Sequence, residues 1–158
     1  MKLAYLGLGS NLGNRQQNLA DAIAQLRSPD IRILHESAIY ETEPRDFLDQ
    51  PWFLNQVVEI ETELFPRQLH RRLQKIEREL GRKPSVPKGP RLIDLDILLF
   101  ANMTVKTEDL EIPHPRMGER RFVLDPLAEL APELRHPVTR RTIREMSALV
   151  TGQKVRRL

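Results

Sequence analysis

Two carboxylates, Asp94 and Asp96, lie inside the most apolar run of the chain, residues 92–100. A run this rich in Ile and Leu that follows Gly-Pro-Arg is typical of a central β-strand. Because the side chains of a strand alternate between its two faces, both aspartates are predicted to point to one side, about 7 Å apart at the backbone. Carboxylates that close repel each other unless they share a proton or a cation.

A divalent cation is the simpler of these two solutions. Magnesium is typically held by one or two carboxylates together with the phosphates of a substrate. The spacing therefore predicts a magnesium site that accepts a polyphosphate. A structural interpretation stays open at this point, in which both aspartates are surface groups paired with arginines such as Arg91 or Arg121.

Basic residues near this strand could bind phosphate. Arg82 and Arg91 bracket a ten-residue loop with three prolines, and an arginine fork suits phosphate oxygens. His114, between two prolines, could donate to a phosphate or a leaving group. The alternatives are a solvated basic loop and a surface turn.

Other polar and aromatic residues could bind the organic part of a substrate. Phe53, Asn55 and Phe122 could stack on and read a flat heterocycle, although core packing accounts for most phenylalanines. Gln74 and Glu77 lie three residues apart on a predicted helix and could face the site or the solvent.

The glycine-rich segment Gly7-Leu8-Gly9-Ser10-Asn11-Leu12-Gly13 matches no nucleotide-binding fingerprint. Its glycine spacing is G-x-G-x-x-x-G, and the Gly-Lys-Ser/Thr of a Walker loop is absent. A tight turn between a strand and a helix explains the glycines as well as a phosphate site does.

The elements that must position these residues follow from periodicity and from Gly and Pro. Strands are predicted over residues 2–8, 31–41, 52–63 and 92–100, and Gly7, Gly9 and Gly13 are expected to break the first of them into a turn. Asn14 is expected to cap a helix that ends near Ser28-Pro29, and Pro66 opens a second helix that Gly81 ends. The order β-α-β-β-α-β predicts an α+β fold, the ferredoxin-like plait, with two helices on one face of a sheet.

The last third of the chain adds C-terminal helices to this plait. The sequence predicts an Arg-Arg-Phe turn at residues 120–122 and helices near 125–131 and 139–150. The basic tail is expected to be a solvated face and consists of Arg140, Arg141, Arg144, Lys154, Arg156 and Arg157.

Length and composition fit one domain that spans residues 1–158. The net charge of +3 suits an anionic substrate as well as a nucleic acid, so it does not decide between them. The absence of cysteine excludes disulfides and a thiolate nucleophile. No apolar stretch reaches membrane-spanning length and no signal peptide is evident, so we expect a cytoplasmic protein that does not associate with membranes.

Taken together, several motifs resemble the 6-hydroxymethyl-7,8-dihydropterin pyrophosphokinase family of folate biosynthesis. They run in order from residue 3 to about residue 134: Gly9-Ser10-Asn11-Leu12-Gly13, Tyr40-Glu41-Thr42-Glu43-Pro44, Asp49 to Asn55, Gly81-Arg82, Gly89 to Leu98, and Pro113-His114-Pro115. The Gly-Pro-Arg-x-Ile-Asp-Leu-Asp-Ile-Leu run and the Asn-Leu-Gly segment are the most specific of these.

The resemblance implies transfer of an intact pyrophosphoryl group from ATP to the pterin hydroxymethyl oxygen. Asp94 and Asp96 would hold two Mg²⁺ ions, which bridge the ATP phosphates and the pterin hydroxyl. Arg82, Arg91 and His114 would contact the phosphates, with Gln74, Glu77 and Arg120 nearby.

Phe53 and Phe122 would stack on the pterin, Asn55 would read its amide edge, and Thr42 and Pro44 would complete that pocket. Adenine would rest against Ile97 and residues 110–112. The partners are then small molecules, no nucleic acid is involved, and a monomer is expected.

Three positions depart from the family pattern. Pro84 and Lys88 stand where many members have an arginine and an aromatic residue, which affects one phosphate contact and the cover over the pterin. Lys83 or Lys88 could replace the lost charge. Asp109 stands where some members place a basic residue near the adenosine.

Two other classes of protein share this strand order. An RNA-binding module of the RRM type is suggested by basicity, but an aromatic content of 5% and the absence of its aromatic signature argue against it. A regulatory plait that binds a small molecule without catalysis is the other alternative, and only the paired carboxylates argue against that one.

Overall fold

The computed structural model describes residues 1–44, 49–81 and 92–158. Its core is an antiparallel sheet, with helices packed on both faces. The strands are β1 (Lys2–Ser10), β2 (Ile31–Glu36), β3 (Tyr40–Thr42), β4 (Phe53–Thr62), β5 (Asp94–Phe100) and β8 (Val155–Arg157). A separate short hairpin joins β6 (Val105–Lys106) to β7 (Glu111–Ile112).

The strand order in the main sheet is β5-β1-β4-β3-β8, with β2 also paired to β4. β2 pairs with the end of β4 at residues 58–62, and β3 pairs with its beginning at residues 53–55. All these pairs are antiparallel. The structure thus confirms an α+β fold with an antiparallel sheet, and its strand order is compatible with the predicted plait.

Two helices, α1 (Arg15–Leu26) and α2 (Pro66–Glu79), pack on one face of the sheet, as predicted. Asn14 caps α1 by accepting a hydrogen bond from the backbone N–H of Gln17 at 3.1 Å. Gly81 follows α2 with a φ of +94°, a left-handed conformation that glycine adopts without strain. Both predicted helix boundaries therefore have the predicted physical cause.

The other face carries α3 (Arg121–Leu130) and α4 (Ile143–Leu149), preceded by a short 3₁₀ helix at Met117–Glu119. The predicted start of α3 near residue 125 is wrong, because the helix begins at Arg121 and accommodates Pro126 in its interior. The predicted start of α4 near residue 139 is also wrong. Thr142 accepts from the N–H of Glu145 at 3.1 Å, and the Glu145 carboxylate accepts from the N–H of Thr142 at 3.2 Å. This reciprocal cap fixes the beginning of the helix at residue 143.

Two strand predictions also need correction. Gly7 and Gly9 do not end β1, which continues to Ser10; the turn residue is Gly13, with a φ of +70°. The single strand predicted over residues 31–41 is two strands, separated at Ser37. The Ser37 hydroxyl accepts from Val57 N–H at 2.9 Å, and the Ser37 carbonyl accepts from the Gln56 amide at 2.8 Å, so side-chain bonds replace the regular ladder there.

The basic tail is not only a solvated face, because residues 155–157 form β8 against β3. Its arginine side chains remain exposed, as is common on edge strands. Within the described ranges, none of the helices combines the length and apolar character needed to cross a bilayer.

Candidate active site

A cavity of about 400 Å³ opens on the face of the sheet that carries α3. This volume suits a small-molecule ligand. Its wall includes β1, the first half of β4, the start of β5, the segment 114–120 and the first turn of α3. The lining residues are Gly7, Leu8, Gly9, Thr42, Glu43, Gln50, Phe53, Asn55, Gln56, Val57, Asp94, Asp96, Leu98, His114, Pro115, Arg116, Arg120, Phe122 and Val123.

Asp94 and Asp96 lie at the floor of this cavity, on one face of β5. Ile93, Leu95 and Ile97 pack into the core on the opposite face, as the alternation of side chains predicts. Both aspartates are half-buried. Of the arginines considered as structural partners, Arg121 pairs with Asp125 at 3.0 Å, and Arg91 lies outside the described residues.

Glycines of β1 lie directly beside the two carboxylates. Gly7 is opposite Asp96 and Gly9 is opposite Asp94 in the antiparallel register. A Cβ atom at Gly9 would lie 3.0 Å from Asn55 Oδ1, closer than nearly all real contacts of that atom. The glycines therefore leave bare backbone in the floor and room for the Asn55 amide, which is a different role from either a turn or a phosphate loop.

The predicted heterocycle set is brought together in the same cavity. Phe53, Asn55 and Phe122 all line it, and Thr42 lies between them on β3. The Asn55 amide is buried and donates to Thr42 Oγ1 at 2.7 Å, so its orientation is fixed by that hydroxyl. Pro44 is buried next to this wall but is not among the lining residues.

A cationic wall consists of Arg116 and Arg120, and His114 lines the cavity beside them. The Arg120 guanidinium lies 5.4 Å from the centroid of the Phe122 ring, within the range of a cation–π contact. This contact joins the cationic wall to the aromatic side of the cavity.

Burial lowers the pKa of His114, the guanidinium groups of Arg120 and Arg116 lower it further, and Asp94 and Glu111 oppose the shift. The imidazole is therefore neutral near pH 7. Its Nδ1 accepts from the backbone N–H of Arg116 at 3.3 Å, which places the proton on Nε2. His114 is thus prepared to donate one hydrogen bond, and its backbone N–H is fixed to Leu98 O at 3.0 Å.

The glycine-rich segment contributes to the site through Asn11. The Asn11 amide is buried and donates to Gln50 Oε1 at 2.8 Å and to Pro51 O at 3.0 Å. Arg15 adds a bond to Trp52 O at 2.9 Å. The segment that leads into β4 and Phe53 is therefore held by the end of β1 and the start of α1.

Three residues predicted to contact ATP do not line this cavity. Gln74 is exposed on α2, and Ile97 is buried with Leu110 and Ile112 in the core beneath α1 and α2. Glu77 is buried, and its Oε2 accepts from the backbone N–H of Leu95 at 2.8 Å. That bond satisfies a donor on the outer side of β5. The prediction of a central strand is wrong here, because β5 is an edge strand among those described. The assignment of these residues to ATP stays a prediction.

Other predicted positions lie outside the described residues, namely Arg82, Lys83, Pro84, Lys88 and Arg91. Asp109, the third departure from the family pattern, is described. It is exposed and accepts from Arg67 at 3.0 and 3.1 Å, so its charge is already balanced by a partner.

The donor set at the floor fits magnesium. Asp94 and Asp96 supply hard oxygen ligands, and across residues 1–44, 49–81 and 92–158 no three His, Cys, Asp or Glu side chains cluster as a complete metal cage. Magnesium suits such a site because it takes few protein carboxylates and completes its shell with water and phosphate.

Sequence reasoning missed several lining residues, above all Glu43, Gln50 and Arg116. Arg116 directly follows the Pro-His-Pro motif, and this proximity to His114 could have indicated that it lines the same site. Glu43 and Gln50 flank the predicted loop between β3 and β4, where no periodicity indicates which side chain turns inward.

The comparisons with known proteins agree with this geometry. The family model for 7,8-dihydro-6-hydroxymethylpterin-pyrophosphokinase matches residues 5–132. A 2-amino-4-hydroxy-6-hydroxymethyldihydropteridine pyrophosphokinase of Bacillus subtilis is 48% identical over 138 residues, which are 87% of this chain and 83% of that protein. One from Methylorubrum extorquens is 43% identical over 159 residues, 100% of this chain and 99% of that protein.

Longer proteins contain a similar region. The chain spans 18% of the length of the folic acid synthesis protein of Pneumocystis carinii and 21% of that of Schizosaccharomyces pombe. A crystal structure of Plasmodium falciparum HPPK-DHPS with pteroate shares the fold, with a TM-score of 0.77 and 17% identity, over 93% of this chain and 42% of that chain. On the match of the family model and the identity to these bacterial relatives, the chain belongs to the 7,8-dihydro-6-hydroxymethylpterin-pyrophosphokinase family.

Proposed function

We propose that this protein transfers the pyrophosphoryl group of ATP to 6-hydroxymethyl-7,8-dihydropterin, giving AMP and the pterin diphosphate for folate biosynthesis. The observation that carries the proposal is the placement of Asp94 and Asp96 on one face of β5, in a cavity that also holds Phe53, Asn55 and Phe122. One cavity thus offers ligands for a metal–phosphate complex and a pocket for a flat heterocycle. Family membership supports the same activity.

Phe53 and Phe122 would bind the two faces of the pterin ring. Asn55 would read its amide edge, because Thr42 holds the Asn55 side chain in one orientation. A buried amide that loses its ligand partner is costly, so this arrangement discriminates against heterocycles that lack the pterin edge. Pro44 would support this wall from behind.

Arg116, Arg120 and the Nε2–H of His114 would donate hydrogen bonds to the phosphate oxygens. Their role would be to orient the triphosphate and to balance its charge. Arg82 and Arg91 would add to this set, and Gln74, Glu77 and Ile97 would contact the nucleotide at the other edge of β5.

Asp94 and Asp96 would hold two Mg²⁺ ions together with the ATP phosphates. The chemistry that bound magnesium supplies is neutralisation of charge on the attacking and leaving oxygens of an in-line displacement. The carboxylates themselves would fix where that charge is neutralised, since both project from one face of β5, whose other face packs into the core.

In the reaction, the pterin hydroxymethyl oxygen forms a bond to the β-phosphorus of ATP and loses its proton. The bond between the β-phosphorus and the oxygen that bridges it to the α-phosphorus breaks, and AMP leaves with that oxygen. No side chain forms a covalent intermediate. The chain contributes position and electrostatic stabilisation, which account for most of the catalysis of phosphoryl transfer.

We further propose that residues 1–158 form a single domain with the ferredoxin-like plait and added C-terminal helices. The strand order and the relatives of similar length support this proposal. A monomer, a cytoplasmic location and the absence of a nucleic-acid partner stay predictions.

The decisive experiment is the identity of the nucleotide product. Incubation of the protein with ATP, magnesium and 6-hydroxymethyl-7,8-dihydropterin is expected to yield AMP in equal amount to the pterin diphosphate, as measured by anion-exchange chromatography. Omission of the pterin or chelation of magnesium should abolish AMP. Formation of ADP would mean single phosphoryl transfer and would contradict the proposal.

The RNA-binding alternative is tested in parallel with a labelled single-stranded RNA. Tight binding that weakens steeply with salt, combined with no AMP, would favour that alternative. Pterin and ATP binding without any turnover would favour a regulatory protein instead.

A further inference from the structure

The last six residues, 153–158, form a segment that contacts both walls of the cavity. At one end, Gln153 binds the backbone beside Arg120. At the other end, β8 pairs with β3, which carries Thr42. We call residues 153–158 the C-terminal brace.

The Gln153 amide makes two hydrogen bonds to the backbone on either side of Arg120. Its Oε1 accepts from Arg121 N–H at 3.0 Å, and its Nε2 donates to Glu119 O at 2.7 Å. Arg121 is the first residue of α3, so its N–H has no partner within the helix. Gln153 supplies that partner and fixes the turn from which Arg120 and Phe122 enter the cavity.

The other end of the brace holds the strand that bears Thr42. Val155 is opposite Thr42 in the antiparallel register, and Leu158 N–H donates to Ile39 O at 2.8 Å. The Lys154 N–H also contacts Glu43 Oε1 at 3.5 Å, and Glu43 lines the cavity. Because Thr42 accepts the hydrogen bond that orients Asn55, a displacement of β3 would move the group proposed to read the pterin edge.

An ion pair ties this end of the brace to the rest of the sheet. Arg156 donates to one oxygen of the Glu41 carboxylate, and Arg15 donates to the other at 3.0 Å. The Glu41 side chain is 13% exposed, whereas that of Arg156 is 70% exposed. Glu41 is thereby held between α1 and the C-terminal brace, directly next to Thr42.

We propose that the C-terminal brace sets the distance and orientation between the two walls of the pterin pocket, with Gln153 and Arg156 as positioning residues. Neither side chain lines the cavity, so neither contacts the substrate. Each acts through its neighbours, Gln153 on the Arg120–Phe122 turn and Arg156 on the Glu41–Thr42 strand. This inference rests on the proposed function, since it takes the pterin as the ligand of the pocket.

The test compares Gln153→Ala and Arg156→Ala with the wild type in steady-state kinetics. Each variant removes hydrogen bonds that position one wall, so each is expected to raise the KM for the pterin about fivefold, the effect of roughly one hydrogen bond. The KM for ATP should change less than about twofold in Arg156→Ala, because that residue acts on the pterin side of the cavity. Direct titration of the pterin by calorimetry, well below the unfolding temperature, should show the same loss of affinity.

Two further variants separate positioning from general stability. Gln153→Glu keeps the acceptor for Arg121 N–H and loses the donor to Glu119 O, so its pterin KM should lie between those of the wild type and Gln153→Ala. Arg144→Ala removes an exposed arginine of α4 that pairs with Glu133, away from the cavity. This variant should leave the KM values for the pterin and for ATP unchanged. Thermal unfolding of all four variants shows whether any change in KM merely follows stability.

The outcomes distinguish this inference from the function on which it rests. Absence of AMP from the wild type would overturn the proposed function and the brace together. Normal AMP formation by the wild type, with an unchanged pterin KM in both Gln153→Ala and Arg156→Ala, would overturn the brace alone. An equal rise of the pterin KM in Arg144→Ala would also overturn the brace, because the effect would then not depend on contacts with the walls of the pocket.

Discussion

Asp94 and Asp96 depend for their role on the strand that carries them. β5 places both carboxylates in the cavity and packs Leu95 into the core between them. These two carboxylates on one face of a rigid strand are the ligands that we propose for magnesium. This arrangement leads to a direct mutational test.

Replacement of Asp96 by alanine should lower kcat at least about 100-fold, because one of two predicted metal ligands is lost. Far-UV circular dichroism should be unchanged, since the Asp96 side chain faces the cavity rather than the core. Stopped-flow or radiometric measurement of AMP formation, with a magnesium titration, would give the effect. Asp21→Ala, at a half-buried position of α1 that does not line the cavity, is the matched control and should retain wild-type turnover. Near-normal turnover in Asp96→Ala would contradict the metal assignment.

The positions of individual side chains could be predicted from the sequence where a rule of backbone geometry applied. The two-residue period of a strand predicts that Asp94 and Asp96 share a face, and they do. No such rule covers Arg116, because its side chain enters the cavity from an irregular segment fixed by backbone bonds to Leu98 and within residues 114–120. The cation–π contact between Arg120 and Phe122 is likewise a product of tertiary packing.

Among the elements, β1 determines how closely a ligand can approach the sheet. Gly7 and Gly9, two residues apart in sequence, both lie on its cavity face. Gly7 is opposite Asp96 and Gly9 is opposite Asp94. The physical consequences of a side chain differ between the two positions, because the nearest atoms belong to the apolar Leu98 at Gly7 and to the Asn55 amide at Gly9. This difference gives a matched pair of variants.

Gly9→Ala should raise the KM for the pterin about tenfold, because the added methyl would lie 3.0 Å from Asn55 Oδ1 and displace the amide that Thr42 orients. Gly7→Ala should have a smaller effect, since its methyl would meet the apolar Leu98 side chain at 3.3 Å and no hydrogen-bonded amide. Steady-state kinetics with varied pterin would compare the two. A larger effect in Gly7→Ala than in Gly9→Ala would show that steric access to the aspartates, rather than the Asn55 amide, dominates.

Long periodic elements were predictable, and short or interrupted ones were not. α1 and α2 follow the helical spacing of Leu and Ile, and β4 and β5 follow the apolar runs. The break at Ser37 arises from side-chain bonds to β4, which no local pattern reveals. β8 has only three residues, two of them arginine, and it exists because β3 offers a free edge beside Glu41. The start of α4 could have been read from the Thr142–Glu145 capping pattern.

For the whole molecule, the sheet separates two kinds of packing. The face beneath α1 and α2 is an apolar core, whereas the other face combines the core beneath α3 and α4 with the cavity. Polar groups buried on this second side include titratable histidines. These histidines make this half of the molecule one source of the pH dependence of stability.

Burial lowers the pKa of His136, and its Nδ1 accepts from the N–H groups of Val138 and Thr139 at 3.2 Å. The pKa of His114 is also lowered, chiefly by burial. Between the ordinary pKa of about 6.5 and these lower values, the unfolded chain binds more protons than the folded one. The free energy of unfolding should therefore be maximal above about pH 6.5 and decrease as the pH falls through the lowered values.

Urea denaturation at pH 7, 6 and 5 would measure this decrease. His136→Asn keeps an acceptor for the two N–H groups but does not titrate, so its stability should fall less steeply than that of the wild type over the same range. Parallel curves for the two proteins would show that His136 does not contribute to the acid sensitivity.

The glycine floor beside the aspartates has a consequence for inhibition. A compound that rests on the bare main chain at Gly7 and Gly9 makes its contacts with atoms that every residue type possesses. An organism could alter those contacts only by adding a side chain, and at Gly9 such an addition would collide with the amide proposed to read the natural substrate. Resistance substitutions at Gly9 would therefore impair the proposed binding of the pterin as well, which makes the floor a favourable surface for inhibitor design.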